Sequence, residues 1–125
     1  MAVSVLIVDD DPSVLMVVAA SCIREGYIVC ACADPLQAVH ICECMRFNFL
    51  VADYNMPGLN GVLLIDRVKE KRQADIALLY TGQLDVTQTA HCDALVSKGE
   101  GPEVLLAAIA HYFLKIEPKT HVGFE

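Results

Sequence analysis

The sequence is poor in basic residues: 9 Lys and Arg stand against 16 Asp and Glu, which gives a formal net charge of −7 at pH 7. Because nucleic acids are themselves negatively charged, we expect no nucleic-acid partner. Long apolar runs are missing too, since the longest, residues 14–20, is far shorter than a membrane span of about 20 residues. The first residues, Met-Ala-Val-Ser, lack the basic region of a secretory signal. The sequence therefore predicts a cytoplasmic protein without a membrane segment.

Cysteine is present, but not in the patterns typical of disulfide frameworks or metal sites. None of the six cysteines belongs to a CxxC pair, and Cys30/Cys32 and Cys42/Cys44 are spaced as CxC. The histidines and the other cysteines form no second cluster at zinc-like spacing. We therefore expect free, buried thiols. A chain of 125 residues that is 55% apolar can bury a core as one domain without such cross-links.

Apolar runs and turn residues predict a strict alternation of strands and helices. The expected strands cover residues 3–8, 27–32, 48–53, 76–80 and 94–97, and the expected helices cover residues 12–25, 35–46, 61–72 and 102 onwards. Asp11-Pro12 and Asp34-Pro35 each place a capping aspartate before a proline at the first helical position. The alternation predicts an α/β fold with a parallel sheet covered by helices on both sides. We expect one domain over residues 1–116 and a flexible tail over residues 117–125.

Polar side chains suited to a binding site follow or end four of the predicted strands. They are Asp9 with Asp10, Asp53, Thr81 and Lys98. Since the carboxyl ends of parallel strands share one edge of the sheet, we expect these groups to meet there. Clustered carboxylates repel one another unless a cation lies among them, and oxygen ligands without His or Cys suit Mg²⁺. Asp53 could then accept a phosphoryl group, with Thr81 and Lys98 directed at its oxygens. Taken singly, each residue also has an ordinary interpretation, because an aspartate often starts a turn and a lysine after a strand is usually solvated.

Three segments and one lysine together resemble a known family. The segments are residues 6–12 (LIVDDDP), 53–61 (DYNMPGLNG) and 78–82 (LLYTG), and the lysine is Lys98. On these residues the chain resembles the receiver domain of two-component response regulators, over about residues 3–115. The resemblance implies a flavodoxin-like (CheY-like) doubly wound sheet of five parallel strands in the order 2-1-3-4-5.

The resemblance also implies a function. The chain is expected to be a stand-alone response regulator, and not an enzyme. It would accept a phosphoryl group from a phosphohistidine on a sensor histidine kinase or a histidine phosphotransfer protein, with Mg²⁺ as cofactor. Because no effector domain follows in this sequence, its output would go through protein–protein contacts.

Individual site residues acquire roles from the same resemblance. The expected Mg²⁺ ligands are Asp9 (mainly through water), Asp10, Asp53 and the backbone carbonyl of Asn55. Asp53 is the expected phosphorylation site, and Thr81 and Lys98 are expected to contact the phosphoryl oxygens. The side chains of Asn55 and Gln83 would flank the phosphoryl group and tune how fast it is lost.

The sequence departs from the family pattern at three places. Receivers usually have a proline with a cis bond after the lysine, whereas Gly99 follows Lys98 here, so we expect a looser or differently shaped loop. The family's switch aromatic is replaced by Leu95. Compared with most receivers, the segment 81–98 is short by roughly a helical turn or more, so we expect helix 4, between strands 4 and 5, to be short or disordered. These departures keep open a degenerate receiver that binds partners without phosphorylation.

Two further interpretations concern partners and chemistry. The first helix is apolar nearly all round, which predicts a docking face for a kinase helix or for a second copy in a homodimer, or extra packing within the chain. Asp9, Asp11, Thr81 and Lys98 could also imitate a phosphatase of the haloacid dehalogenase group. However, that group needs an acidic pair after the lysine, which this sequence lacks.

Overall fold

The computed structural model describes the backbone of residues 2–82 and 91–122 and the side chains of residues 2–82 and 91–116. The strands are β1 (Ser4–Val8), β2 (Ile28–Cys32), β3 (Phe47–Ala52), β4 (Ala74–Thr81) and β5 (Ala94–Ser97). The helices are α1 (Pro12–Arg24), α2 (Pro35–Cys44), α3 (Gly61–Glu70) and α4 (Pro102–Val122), and a 3-10 turn covers Lys98–Glu100. The helix predicted from residue 102 is therefore α4. The predicted short or disordered helix 4, between β4 and β5, falls mainly on residues 83–90, outside the described residues.

The strands form one sheet of five parallel strands in the order β2-β1-β3-β4-β5. This arrangement confirms both the α/β class and the flavodoxin-like strand order expected from the resemblance. In such a sheet the order reverses at β1, so that the carboxyl ends of β1 and β3 lie side by side at the usual ligand-binding edge.

The core consists of two layers, one on each face of the sheet. Successive side chains of a strand point to opposite faces, so Leu6 packs in the layer under α2 and α3 while Ile7 packs in the layer under α1 and α4. Both side chains are at most 2% exposed. This two-sided burial explains why the strands are nearly continuous apolar runs rather than alternating ones.

Side-chain caps begin three of the helices. Asp11 accepts a hydrogen bond from the backbone N–H of Ser13, and Asp34 accepts one from that of Leu36, each at 3.0 Å. Asn60 caps α3 in the same way. The predicted starts at Pro12 and Pro35 are therefore confirmed, because each proline needs no N–H at the first helical position.

Some elements differ from the sequence-based bounds. Helix α4 continues to Val122, although the sequence from residue 116 onwards shows no helical periodicity. β4 begins at Ala74, two residues earlier than predicted. The 3-10 turn after β5 was not predicted, and it is described below because it carries Lys98.

The outer surface of α1 is apolar, as the sequence predicted. Met16 is 72% exposed and Ile23 is 61% exposed, while Val18 and Cys22 face the core. All six cysteines are free, as expected; three are buried, two are half-buried and Cys44 is exposed. None of the described helices combines the length and apolarity needed to cross a membrane.

Candidate functional site

The carboxyl ends of β1 and β3 bring their carboxylates together. Val8, the last residue of β1, pairs in register with Ala52, the last residue of β3. The ladder continues one step further, because the backbone N–H of Asp53 donates to the carbonyl of Val8 at 3.0 Å. Asp9 and Asp53 therefore leave adjacent strands at the same level of the sheet.

Three carboxylates form a compact acidic cluster at this edge. One oxygen each from Asp9, Asp10 and Asp53 lies within 4.8 Å of the others. Asp9 and Asp53 are buried, at 2% and 8% exposure, and Asp10 is exposed. Carboxylate oxygens without nitrogen or sulfur ligands match the preference of a hard divalent cation such as Mg²⁺. The arrangement predicted from the strand ends is thus present for these three residues.

Lys98 supplies the positive charge nearest to the two buried carboxylates. Its Nζ lies 2.7 Å from Oδ2 of Asp9 and 3.1 Å from Oδ2 of Asp53. Burial lowers the pKa of Lys98, but the hydrogen bonds to Asp9 and Asp53 and the negative charges of these carboxylates together raise it by more, so the pKa lies above its ordinary value. The ammonium group therefore remains charged at neutral pH and offsets the repulsion between the carboxylates.

Backbone N–H groups orient the other oxygen of each buried carboxylate. Oδ1 of Asp9 accepts a hydrogen bond from the N–H of Asp11 at 2.9 Å, and Oδ1 of Asp53 accepts one from the N–H of Tyr54 at 2.8 Å. One oxygen of each carboxylate thus faces its own turn and the other faces Lys98. Asp11 lies outside the acidic cluster, because its side chain caps α1.

Gly61 lies very close to the backbone at the end of β3, where Asp53 is located. Its N–H donates to the carbonyl of Tyr54 at 3.0 Å. A Cβ added at Gly61 would lie 2.1 Å from the carbonyl oxygen of Asp53 and 2.9 Å from Cδ1 of Leu79. Only a residue without a side chain fits here, so the Asn60-Gly61 pair both caps α3 and lets the loop close tightly over Asp53.

The structure places the remaining predicted residues as follows. Thr81 ends β4, is 1% exposed and pairs with Ser97, the residue before Lys98, so it belongs to the same edge. Asn55 is exposed in the loop after Asp53. Gln83 lies outside the described residues. Leu95, at the position of the family's aromatic, is 39% exposed on β5.

The loop of Lys98 forms a defined turn, which was not predicted from the sequence. The described residues contain no cis peptide bond. Instead, Lys98–Glu100 forms a 3-10 turn in which Oγ of Ser97 accepts the N–H of Gly99 at 3.2 Å. The signal was a serine two residues before a glycine, a spacing at which Ser and Thr side chains often close a turn.

An apolar groove of about 260 Å³ adjoins Lys98. It lies between α1 and the start of α4, and its lining includes Val14, Val17, Tyr80 and Pro102. The groove places an apolar contact surface directly beside the charged edge of the site.

The comparisons with known proteins agree with this geometry. The family model described as "Response regulator receiver domain" matches residues 5–110. The DNA-binding transcriptional activator EvgA of Escherichia coli (strain K12) is 24% identical over 110 residues, which cover 83% of this chain and 54% of EvgA. The chain thus spans about half the length of the first curated relatives that it matches.

Two solved structures illustrate the likeness in fold. A CheY-like receiver domain protein from Methanospirillum hungatei has a TM-score of 0.87 and 24% identity, covering 95% of this chain and 99% of that one. The response regulator TrrA of Thermotoga maritima, solved in complex with Mg²⁺-BeF, has a TM-score of 0.80 and 19% identity, covering 87% of this chain and 97% of that one. With most of its length matched by the family model, this chain belongs to the response regulator receiver domains of two-component signalling.

Proposed function

We propose that this receiver domain accepts a phosphoryl group on Asp53 in a Mg²⁺-dependent reaction and signals through protein–protein contacts. The observation that carries the proposal is the convergence of three carboxylates and one ammonium group. The oxygens of Asp9, Asp10 and Asp53 lie within 4.8 Å of one another, and Nζ of Lys98 lies 3.1 Å from Oδ2 of Asp53. A structurally similar receiver, TrrA, has been solved with Mg²⁺-BeF.

The donor set fits Mg²⁺ by its chemistry. Asp9, Asp10 and Asp53 offer only hard oxygen ligands, and the exposed Asp10 leaves one side of the cluster open to solvent. The backbone carbonyl of Asn55 is the fourth proposed ligand. Bound there, the ion would supply positive charge that draws a phosphoryl group towards the carboxylates.

The proposed reaction is a simple exchange of bonds. An oxygen of Asp53 attacks the phosphorus of a phosphohistidine, the new P–O bond forms, and the P–N bond breaks as the histidine nitrogen leaves with the electron pair. Charge on the transferred group spreads over its outer oxygens. Lys98 stands within reach of those oxygens, and Thr81 is proposed as a second donor from the adjacent strand. Asn55 and Gln83 are proposed to tune the lifetime of the phosphorylated state.

The phosphoryl donor is proposed to be a sensor histidine kinase or a histidine phosphotransfer protein, because receiver domains interact with sensor kinases. The groove beside Lys98 gives such a partner an apolar surface at the edge of the site. The exposed apolar residues of α1, Met16 at 72% and Ile23 at 61% exposure, extend that surface along the helix. The stand-alone arrangement, a homodimer, the cytoplasmic location and the lack of a nucleic-acid partner stay predictions.

The experiment that tests this proposal is labelling with a small phosphoryl donor. We expect acetyl phosphate and Mg²⁺ to add one phosphoryl group, seen by intact-mass spectrometry, and we expect EDTA or Asp53→Asn to abolish it. Asp66→Asn is the matched control, because this α3 carboxylate pairs with His91 at 2.7 Å and lies outside the acidic cluster. Labelling that persists in Asp53→Asn, or that is absent from the wild-type chain, would contradict the proposal.

One observation favours a second candidate function. Leu95 is 39% exposed and has no ring that could turn inwards behind Thr81, so the family's usual coupling between the site and the output surface lacks its aromatic. The second candidate is therefore a receiver that binds partners without phosphorylation. Partner binding that is equal for wild type and Asp53→Asn, with no labelling of either, would support it. The phosphatase-like interpretation lacks a comparable observation, because Asp11 caps α1 instead of joining the cluster.

A further inference from the structure

Lys98 is held by a backbone segment that has little intrinsic rigidity. The next residue, Gly99, has no side chain and therefore has more accessible backbone conformations than any other residue type. The conformation of Gly99 does not require glycine: an added Cβ would meet Oγ of Ser97 at 3.5 Å, an ordinary contact, and no positive φ is involved. Packing against Gly99 thus contributes little to the position of Lys98.

Two hydrogen bonds close the segment into a turn. Oγ of Ser97 accepts the N–H of Gly99 at 3.2 Å, and the N–H of Gly101 donates to the carbonyl of Lys98, also at 3.2 Å. The second bond joins two backbone groups and is available to many sequences. The first is made by a side chain, so a single substitution removes it.

Ser97 is itself anchored to the sheet. It is the last residue of β5 and pairs with Thr81, the last residue of β4. Its backbone is therefore fixed on one side by the strand ladder, while its hydroxyl holds Gly99 on the other side. Lys98 lies between these two attachments.

The ammonium of Lys98 makes two contacts of unequal length, and both depend on where the turn places the start of its side chain. Nζ lies 2.7 Å from Asp9 and 3.1 Å from Asp53, and the longer distance is near the upper end for a good hydrogen bond. The flexible side chain of Lys98 can follow a small movement of the backbone, but opening of the turn would weaken the longer contact, with Asp53, first.

We propose that Ser97 is a positioning residue whose hydroxyl holds the Lys98–Glu100 turn so that one ammonium group reaches both Asp9 and Asp53. Without the hydroxyl, the N–H of Gly99 bonds to water, and only the backbone bond from Gly101 to Lys98 still closes the turn, so the turn opens more often. The consequence for phosphoryl transfer rests on the proposed function, whereas the placement of the ammonium group can be measured without it.

The test compares three variants of the full chain with the wild type. Ser97→Ala removes the acceptor. Ser97→Thr keeps a hydroxyl that can close the same turn and suits a strand end. Ser21→Ala is the matched control, because its hydroxyl donates to the carbonyl of Val17 at 2.8 Å within α1. All four proteins are first checked for equal circular dichroism and similar melting temperature.

The first readout is the rate at which an amine-acylating reagent modifies Lys98, followed by peptide mass spectrometry. Since an exposed hydrogen bond shifts an equilibrium by about twofold to tenfold, we expect Ser97→Ala to accelerate acylation of Lys98 by that factor. Ser97→Thr and Ser21→Ala should match the wild type. Equal rates in wild type and Ser97→Ala would overturn the proposal.

The second readout is the rate of Mg²⁺-dependent labelling by acetyl phosphate. We expect Ser97→Ala to slow it by about twofold to tenfold, while the affinity for Mg²⁺ alone, measured by calorimetry, does not fall, because no proposed ligand is altered. A parallel loss of Mg²⁺ affinity would overturn the positioning role. Absence of labelling in the wild type would instead contradict the proposed function, and the acylation rates would still decide the role of Ser97.

Discussion

Gly61→Ala is the substitution for which the structure predicts the clearest effect. Gly61 is buried at the start of α3, and an added Cβ would lie 2.1 Å from the carbonyl oxygen of Asp53. Contacts of this kind are rarely shorter than about 3 Å, so the turn and the strand end must separate by roughly 1 Å. The same movement strains the hydrogen bond from Gly61 to Tyr54.

The expected cost is that of overpacking a tight site. Inserting one methyl group into a well-packed core costs about 1–3 kcal/mol, and weakening one backbone hydrogen bond adds about 1 kcal/mol. We therefore expect Gly61→Ala to lower the free energy of unfolding by about 2–4 kcal/mol. For a domain of this size the melting temperature should fall by roughly 10 °C.

The assay is urea unfolding followed by circular dichroism, at constant pH and without Mg²⁺. Gly99→Ala is the matched control, because a Cβ added at Gly99 would meet only Oγ of Ser97, at 3.5 Å. The free energy of unfolding of this variant should differ from that of the wild type by less than about 1 kcal/mol. A loss for Gly61→Ala below about 0.5 kcal/mol would refute the reasoning, since it would mean that the loop relaxes freely around the added methyl group.

Three further predictions concern charge, hydrogen bonding and pH. Lys98→Met should lower the free energy of unfolding by about 2 kcal/mol, because it leaves two buried carboxylates without their cation. Saturating Mg²⁺ should reduce that loss, and an equal loss with and without Mg²⁺ would count against the proposed metal site. Asp93→Ala should lower the free energy of unfolding in urea by about 2 kcal/mol, since Asp93 accepts a hydrogen bond from the N–H of the buried Ala77 at 2.7 Å. Asp93→Asn retains an acceptor and should lose less stability; a loss for Asp93→Asn as large as that for Asp93→Ala would contradict this account. Burial raises the pKa of Cys22 and Cys42 to about 11, so these thiols ionise more readily in the unfolded chain, and stability should fall as the pH rises from about 9 to 11. The loss of stability should reach roughly 2 kcal/mol per thiol at pH 11, and it should be smaller in Cys22→Ala. If stability falls equally steeply with pH in wild type and Cys22→Ala, the pH dependence does not come from Cys22.

Local signals in the sequence were sufficient for most of the secondary structure. Asp11-Pro12 and Asp34-Pro35 begin α1 and α2 as predicted, because the capping hydrogen bond and the fixed φ of proline act within a few residues. The predicted bounds of β5, residues 94–97, are those observed. By contrast, the strand order came from the family resemblance, since pairing between distant strands leaves no local pattern.

The candidate site was predicted as a set of residues but not as a geometry. The positions of Asp9, Asp53 and Lys98 at strand ends followed from the alternation of strands and helices, because parallel strands direct their carboxyl ends to one edge. The tight approach of Gly61 to Asp53 and the attachment of Gly99 to Ser97 were not predicted. Both depend on how close two backbone segments come, a distance that residue spacing does not contain.

By itself, the sequence determined the fold class, the helix starts and the residues available at the sheet edge, because these follow from apolar patterning and from short-range capping. Only the tertiary structure decided that one lysine bridges two buried carboxylates, at 2.7 and 3.1 Å, and that its loop is a trans 3-10 turn. The physical reason is that these contacts join strands that are more than forty residues apart along the chain. Their distances are set by the packing of the whole sheet and not by any single segment.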